Sequence, residues 1–174
     1  MEKDAPEIKQ IAKTLLGKTE EETVRNTIAF VGKTLRKGPF DGADHGAVWA
    51  LQNKEGDCTE FADLFLALCR ANSVPARYRN GYLIHDVPKE DTPKHDWAEV
   101  YIAKYGWVPF DPLHTTQRGI ATVNTLRPVY VYLDNQRTNA VFGKYHYFGF
   151  TCQGEKVRIQ DEFKLKSRKA FAPK

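Results

Sequence analysis

Three residue types that together carry acyl-transfer chemistry occur in the middle of the chain. They are Cys58 in GDCTEF, His95 in HDWAEVY and Asp111 in GWVPFDP. A thiolate is a nucleophile, a histidine beside it can accept and return a proton, and a carboxylate on the far ring nitrogen orients the imidazole. These residues therefore have the chemistry to attack an amide carbonyl, provided that the fold brings them together.

Cys58 lies at the predicted start of a helix. Asp57 is a favourable N-cap and Glu60 follows three residues later, which is the pattern of a capping box. The helix N-terminus predicts a lowered thiol pKa, whereas these two carboxylates oppose the thiolate, so a cationic partner such as an imidazolium is needed. The alternative is an inert structural cysteine. That reading suits Cys69 better, because it lies in mid-helix among apolar residues.

His95 and Asp111 are predicted to lie on adjacent strands. If these strands form a hairpin around residues 104–106, the far ends of the two strands become neighbours. The two arms differ in length, so a bulge or an irregular strand start would have to absorb the mismatch. An Asp-Pro turn is the alternative reading of Asp111. The other histidines lack such framing, and surface or polar core positions are predicted for His45, His85, His114 and His146.

Four short motifs follow one another in order: GDCTEF, then ANSVPARYRNGY, HDWAEVYI and GWVPFDP. In this order and spacing they resemble the transglutaminase-like core of the papain-like superfamily, over residues 56–112. The resemblance implies Cys58 as nucleophile, His95 as general base and acid, and Asp111 as its orienter. It also implies a papain-like (transglutaminase-like) α+β fold, with N-terminal helices and the Cys-bearing helix packed on a mostly antiparallel sheet.

Two positions depart from the family pattern. Ser73 stands where the family usually has glycine, so the left-handed residue after the helix is predicted to be Asn72. Asp96 replaces a commonly small residue next to His95. Its negative charge has two interpretations, namely support for an imidazolium and recognition of a basic substrate.

The oxyanion that forms during amide attack needs hydrogen-bond donors. The backbone N–H of Cys58 is the natural first donor, because helix N-termini present free N–H groups. Gln52 and Trp49 are candidates for the second donor, and Tyr82 is a candidate for lining the cleft. The alternatives are an exposed helix end for Gln52 and packing for the two aromatic residues.

The elements that must position these residues change in character along the chain. Residues 7–16 and 24–35 carry apolar side chains at helical spacing, whereas the chain from Ala76 onwards is rich in β-branched and aromatic runs. Helices first and strands afterwards indicate an α+β protein with a mostly antiparallel sheet. A length of 174 residues predicts a single domain over residues 1–174.

Composition and motifs exclude several classes of function. A formal net charge of +4 without a basic stripe argues against nucleic acid, and no apolar run approaches a membrane span. No paired zinc ligands or phosphate loop occur, so no metal and no cofactor are expected. Three cysteines without framework spacing argue against a disulfide scaffold. No signal peptide is recognisable, so the compartment is open between the cytoplasm and export, as is the oligomeric state.

The predicted function is a cysteine-dependent amide hydrolase or acyltransferase that works through a thioester acyl-enzyme. Its expected partner is a peptide or protein amide. A protease or amidase is favoured over a transglutaminase, because the chain shows no accessory domain of the crosslinking enzymes. The alternative is a non-catalytic module of the same fold that binds peptide or glycan.

Overall fold

The computed structural model describes residues 2–39, 43–84, 94–118 and 129–132. Within these ranges the chain forms a short 3-10 helix (Glu2–Asp4), the helices α1 (Pro6–Leu15), α2 (Glu20–Thr34), α3 (Gly46–Asn53), α4 (Cys58–Ala71) and α5 (Pro112–Arg118), and the strands β1 (Arg36–Lys37), β2 (Glu55–Gly56), β3 (Ala76–Ile84), β4 (Lys94–Ile102), β5 (Gly106–Phe110) and β6 (Val129–Tyr132). Among the β-branched and aromatic runs predicted to form strands after Ala76, those at 144–152 and 156–165 lie outside the described residues, as do His85, His146 and Cys152. The single domain over residues 1–174 stays a prediction.

The larger sheet has four antiparallel strands in the order β5-β4-β3-β6. The helices α1 to α4 precede it in the chain, and α4 packs against β3 and β4. A separate pair, β1 with β2, is parallel and leads directly into α4. The predicted α+β fold with a mostly antiparallel sheet is therefore confirmed. None of the helices in the described ranges is both long and apolar enough to cross a bilayer.

Helix α4 forms the centre of the core. Its side chains are buried from Thr59 to Cys69 with the exception of Asp63. A helix buried on nearly all sides must be covered by several elements, and α1, α2, α3, α5 and the sheet all contact it. Phe65 of α4, for example, packs against Phe110 of β5 with ring centroids 5.9 Å apart. Helix α4 is therefore held against the sheet.

The β4–β5 hairpin has a regular register. Ile102 pairs with Gly106 across a three-residue loop, and Gly106 has a φ of +75°, the left-handed conformation that such loops require. Pairing continues without a bulge to Ala98 opposite Phe110. One further step in this register would place Asp111 opposite residue 97, diagonal to His95 and on the same face. The expected mismatch between the strands is thus resolved by a diagonal contact, and the pairing from Ile102 to Ala98 needs neither a bulge nor an irregular strand start.

The end of α4 corrects another prediction. Ser73, not Asn72, adopts the left-handed conformation, with a φ of +61°. Ser73 N–H donates to the Arg70 carbonyl and Val74 N–H to the Cys69 carbonyl, each at 3.0 Å, which is the Schellman arrangement. Asn72 instead donates its side-chain amide to the Ala12 carbonyl of α1 at 2.7 Å. That bond between two helices explains why the left-handed position falls one residue later.

Candidate active site

Cys58 is the first residue of α4, and the predicted capping box is present before it. The Asp57 carboxylate accepts from Thr59 N–H at 2.8 Å, and the Glu60 carboxylate accepts from Asp57 N–H at 3.0 Å. Gly56 is required by close approach, because a Cβ atom there would lie 2.3 Å from the Glu60 Cβ. The local sequence therefore fixes where the helix begins and where the thiol emerges.

A second bond joins the start of α4 to the start of β4. Thr59 Oγ donates to the Asp96 carboxylate at 2.8 Å, and Asp96 is only 3% exposed. This bond draws the first turn of the helix towards the strand that carries His95. Because Asp96 is buried and engaged with Thr59, its position favours a structural role over recognition of a basic substrate.

His95 links the thiol to the carboxylate. Its Nε2 atom lies 2.6 Å from Asp111 Oδ2, and both residues are buried, at 4% and 0% exposure. The ring is also hydrogen-bonded to the Cys58 side chain. Since Nε2 is occupied by Asp111, Nδ1 is the nitrogen left to face the sulfur. The ring of Trp97, which is fully buried, stacks beside His95 with centroids 6.2 Å apart and helps to hold it in place. The structure therefore brings together Cys58, His95 and Asp111.

Sequence reasoning missed a second histidine in this cluster. His114 was predicted to be an ordinary surface or core polar residue, but it lies in the first turn of α5, next to the site. Its Nδ1 atom is 2.8 Å from Asp111 Oδ2, and its backbone N–H donates to Asp111 Oδ1 at 3.0 Å. A usable signal was present in Asp111-Pro112, because Asp followed by Pro is a typical N-cap and first position of a helix. In such a helix start, the backbone N–H of the third helical residue, here His114, donates to the N-cap carboxylate of Asp111.

Charges and hydrogen bonds in this cluster shift the pKa of Asp111 and the pKa of His95 in opposite directions. Burial by itself would raise the pKa of Asp111, but the charge and hydrogen bond of His95, together with those of His114, hold that pKa well below its usual range. Burial would likewise lower the pKa of His95, yet the Asp111 charge and hydrogen bond and the bond to Cys58 raise it well above the ordinary histidine value. Asp111 is thus an anion that accepts from both rings, and His95 readily holds a second proton.

The thiol departs from the sequence prediction of a lowered pKa. Burial raises the pKa of Cys58, and the charges of Asp96 and Asp57 act in the same direction. The hydrogen bond and charge of His95 oppose this rise and lower the pKa. The prediction underestimated the desolvation of a helix start that is packed against a sheet. The predicted need for a cationic partner agrees with the opposing effect of His95.

The remaining candidates are less clearly tied to the thiol. Gln52 is exposed, and its amide nitrogen lies 3.4 Å from a carboxylate oxygen of Glu7 in α1. Trp49 is partly buried and stacks on His45 with centroids 4.1 Å apart. Tyr82 of β3 pairs with Lys94, at the same end of the sheet as His95. These placements fit an exposed helix end for Gln52, and they leave the cleft role of Tyr82 a prediction.

One group of side chains has the composition of a metal site. Donor atoms of His95, Asp111 and His114 all lie within 4.8 Å of one another. The same atoms form the two imidazole–carboxylate hydrogen bonds, however, so an ion would displace these bonds and occupy the His95 nitrogen. Among the described residues, the two hydrogen bonds to Asp111 already engage these donor atoms.

The chain belongs to the transglutaminase-like superfamily, whose sequence pattern matches residues 9–112. The fold is accordingly the general cysteine-enzyme-like fold of that superfamily. The predicted family and fold are therefore confirmed.

Individual relatives share this domain at low identity. The chain is 29% identical over 87 residues to YebA of Bacillus subtilis (strain 168), itself uncharacterised; the match covers 42% of this chain and 12% of YebA. Among solved structures, a candidate cysteine protease from Cytophaga hutchinsonii aligns with a TM-score of 0.53 at 21% identity, covering 79% of this chain and 55% of that protein. The periplasmic domain of TgpA from Pseudomonas aeruginosa aligns with a TM-score of 0.53 at 18% identity, covering 66% and 46%. These structural similarities show the fold, and the chain spans only part of each relative.

Proposed function

We propose that the protein is a cysteine-dependent amide hydrolase, a protease or amidase, that acts through a Cys58-His95-Asp111 triad. One observation carries this proposal: a single buried imidazole is hydrogen-bonded to a thiol at a helix start and to a carboxylate held anionic. Membership of the transglutaminase-like superfamily supports the same chemistry.

In the proposed reaction the Cys58 proton passes to His95 Nδ1, and the thiolate attacks the substrate carbonyl carbon. The new C–S bond gives a tetrahedral oxyanion, which the backbone N–H of Cys58 is placed to stabilise. The imidazolium returns its proton to the amide nitrogen, the C–N bond breaks, and the amine leaves behind a thioester. His95 then takes a proton from water, which attacks the thioester and releases the acid and the free thiol.

The two opposed pKa effects at Cys58 and His95 suit this cycle. Burial raises the pKa of Cys58, so the thiol stays protonated when no proton acceptor is beside it. Asp111 raises the proton affinity of His95, so that the proton lost by sulfur has a stable acceptor. We infer that the reactive form is the thiolate–imidazolium pair and that it forms as a unit.

The choice between water and an amine as acceptor comes after every step that the triad performs. Hydrolysis is favoured because one structural relative is a candidate cysteine protease. The proposed substrate class is accordingly a peptide or protein amide. Transfer to an amine uses the same acyl-enzyme and is the competing outcome.

The test compares Cys58→Ala with Cys69→Ala, using peptide amides and glutamine-donor plus amine-acceptor pairs as substrates. We expect Cys58→Ala to lower kcat/KM on the order of 10⁴-fold or more, since removing a nucleophile leaves only binding and oxyanion effects. Cys69→Ala should retain most of the activity after correction for stability. Intact turnover in Cys58→Ala would overturn the proposal. Saturable peptide or glycan binding by the wild type, without turnover, would instead support the non-catalytic module.

A further inference from the structure

We propose that His114 is a positioning residue of this site: it holds the Asp111 carboxylate towards His95 and shares its charge. This inference deepens the proposed function, and it rests on it. Asp111 Oδ2 is hydrogen-bonded to two ring nitrogens, His95 Nε2 at 2.6 Å and His114 Nδ1 at 2.8 Å. Oδ1 accepts the backbone N–H of His114 at 3.0 Å. One residue therefore contacts both oxygens of the triad carboxylate.

The placement follows from the helix that starts here. Asp111 precedes Pro112, the first residue of α5, and its carbonyl accepts from Thr115 N–H at 2.8 Å, closing the first turn. The N-cap carboxylate is thereby bonded to the third helical N–H, and the side chain of that same residue, His114, folds back onto Oδ2. Both carboxylate oxygens are fixed before any substrate arrives.

The His114 ring must also change the electrostatic effect of Asp111 on His95. An ionised carboxylate can only accept hydrogen bonds, so His114 Nδ1 carries the proton that points to Oδ2. Two donors on one oxygen divide its negative charge, and each weakens the bond of the other. His114 therefore tempers the stabilisation of the His95 imidazolium while it steadies the geometry. These two effects oppose each other and can be separated by substitution.

Within the described ranges, titratable groups of the site lie beside His114. Asp111 and His95 are its ring neighbours, and the His95 and His114 rings meet edge to face with centroids 4.9 Å apart. Cys58 lies beyond His95, and Asp96 also acts on the thiol. The His114 side chain is 23% exposed, whereas Asp111 is fully buried and the His95 side chain is 6% exposed. His114 is thus the member of the cluster that can be changed with the least disturbance of packing.

Two kinds of variant separate the roles. His114→Asn places an amide nitrogen near the position of Nδ1, so it keeps a donor to Asp111 but cannot become charged. His114→Phe keeps the ring and loses the donor. His114→Ala loses both ring and donor, and serves if the phenylalanine variant does not fold. Comparing them distinguishes the hydrogen bond from the bulk of the ring.

The first measurement is the pH titration of the His95 ring by NMR, with the resonance assigned through His95→Gln. Without the competing donor, Asp111 should hold the His95 proton more tightly, so the His95 pKa should move upward in His114→Phe and His114→Ala. His114→Asn should stay close to the wild type. An unchanged or lower His95 pKa in the variants without a donor would overturn the inference, and a general loss of packing would not produce the upward shift.

The second measurement is amide turnover. We expect kcat to fall about tenfold in His114→Phe with little change in KM, because a charge-assisted hydrogen bond that aligns the carboxylate is lost. His114→Asn should recover most of this loss. The two proposals fail in different ways. If the wild-type protein shows no turnover, the proposed function is wrong, and the NMR titration still tests the role of His114. If the enzyme is active but the His95 titration does not change in the variants, only the proposed role of His114 is wrong.

Discussion

The two described cysteines of α4 have opposite surroundings. Cys58, at the first position, is partly buried and is hydrogen-bonded to His95. Cys69, eleven positions later in the same helix, is fully buried, and burial raises its pKa to about 12 against weaker lowering effects of Arg70 and Thr27. Burial therefore raises the pKa of both thiols. The feature that distinguishes Cys58 from Cys69 is the imidazole of His95 beside it.

After the loss of the Cys58 thiol itself, the largest expected effect is the removal of this imidazole. In His95→Gln the thiol keeps its helix start and a polar neighbour but loses its proton acceptor. We expect kcat/KM to fall on the order of 10³-fold, the usual range for a lost general base and acid. Iodoacetamide labelling at pH 6, read out by mass spectrometry, should be much faster at Cys58 than at Cys69 in the wild type. In the variant the two rates should converge, and a Cys58 that stays selectively reactive would show that the helix start alone activates it.

Asp111→Asn is expected to have a smaller effect. The asparagine carbonyl can still accept from His95 Nε2, but it brings no charge, so we expect kcat/KM to fall about tenfold and the free energy of unfolding to fall by about 2 kcal/mol. The measurements are amide turnover and denaturant unfolding from pH 3 to 10. Retained activity with an unaltered pH dependence would count against an electrostatic role of Asp111.

The pH dependence of this stability difference follows from the two shifted groups. The pKa of Asp111 lies below its unfolded value, so its contribution is present above about pH 4 and is lost as the pH falls through the folded pKa. The pKa of His95 lies above its unfolded value, so its contribution is complete below about pH 6.5 and is lost as the pH rises through the folded pKa. The stability gap between wild type and Asp111→Asn should therefore be widest between about pH 4 and 6.5.

The smallest expected effect sharpens the electrostatic difference between the cysteines. Asparagine caps helices as well as aspartate, so Asp57→Asn should leave stability nearly unchanged while removing a charge that raises the pKa of Cys58. We expect labelling of Cys58 to speed up about threefold below its pKa, in line with modest effects of a single nearby charge. The matched variant Asp57→Ala should instead lose about 1 kcal/mol of stability. Slower labelling in Asp57→Asn would contradict the assigned direction.

Local patterns were sufficient to predict several features. The capping box at Asp57 and Glu60 and the hairpin loop before Gly106 depend on contacts within a few residues, and the structure contains both. The family resemblance supplied Cys58, His95 and Asp111, which the structure places in one hydrogen-bonded cluster. Each of these expectations uses information carried by short segments or by the order of motifs.

Other features depended on contacts between distant segments. Asn72 was predicted to be left-handed because asparagine tolerates that conformation. In the structure its side chain is bonded to the Ala12 carbonyl of α1, and Ser73 is the left-handed residue. The Asp111-Pro112 signal for His114 is local, but the approach of the His114 ring to His95, with centroids 4.9 Å apart, depends on the packing of α5 against β4. The pKa of Cys58 was misjudged, because desolvation depends on everything packed around the helix start.

The sequence by itself determined the family, the α+β class and the order of the three site residues, because propensity, capping and motif spacing act over short stretches of chain. Only the tertiary structure decided the diagonal contact of His95 with Asp111, the approach of the His114 ring to His95 and the balance of charges at the thiol. Hydrogen-bond geometry and burial are properties of atoms brought together from separate elements. Their effect on a pKa or a reaction can be assessed only when those elements are packed.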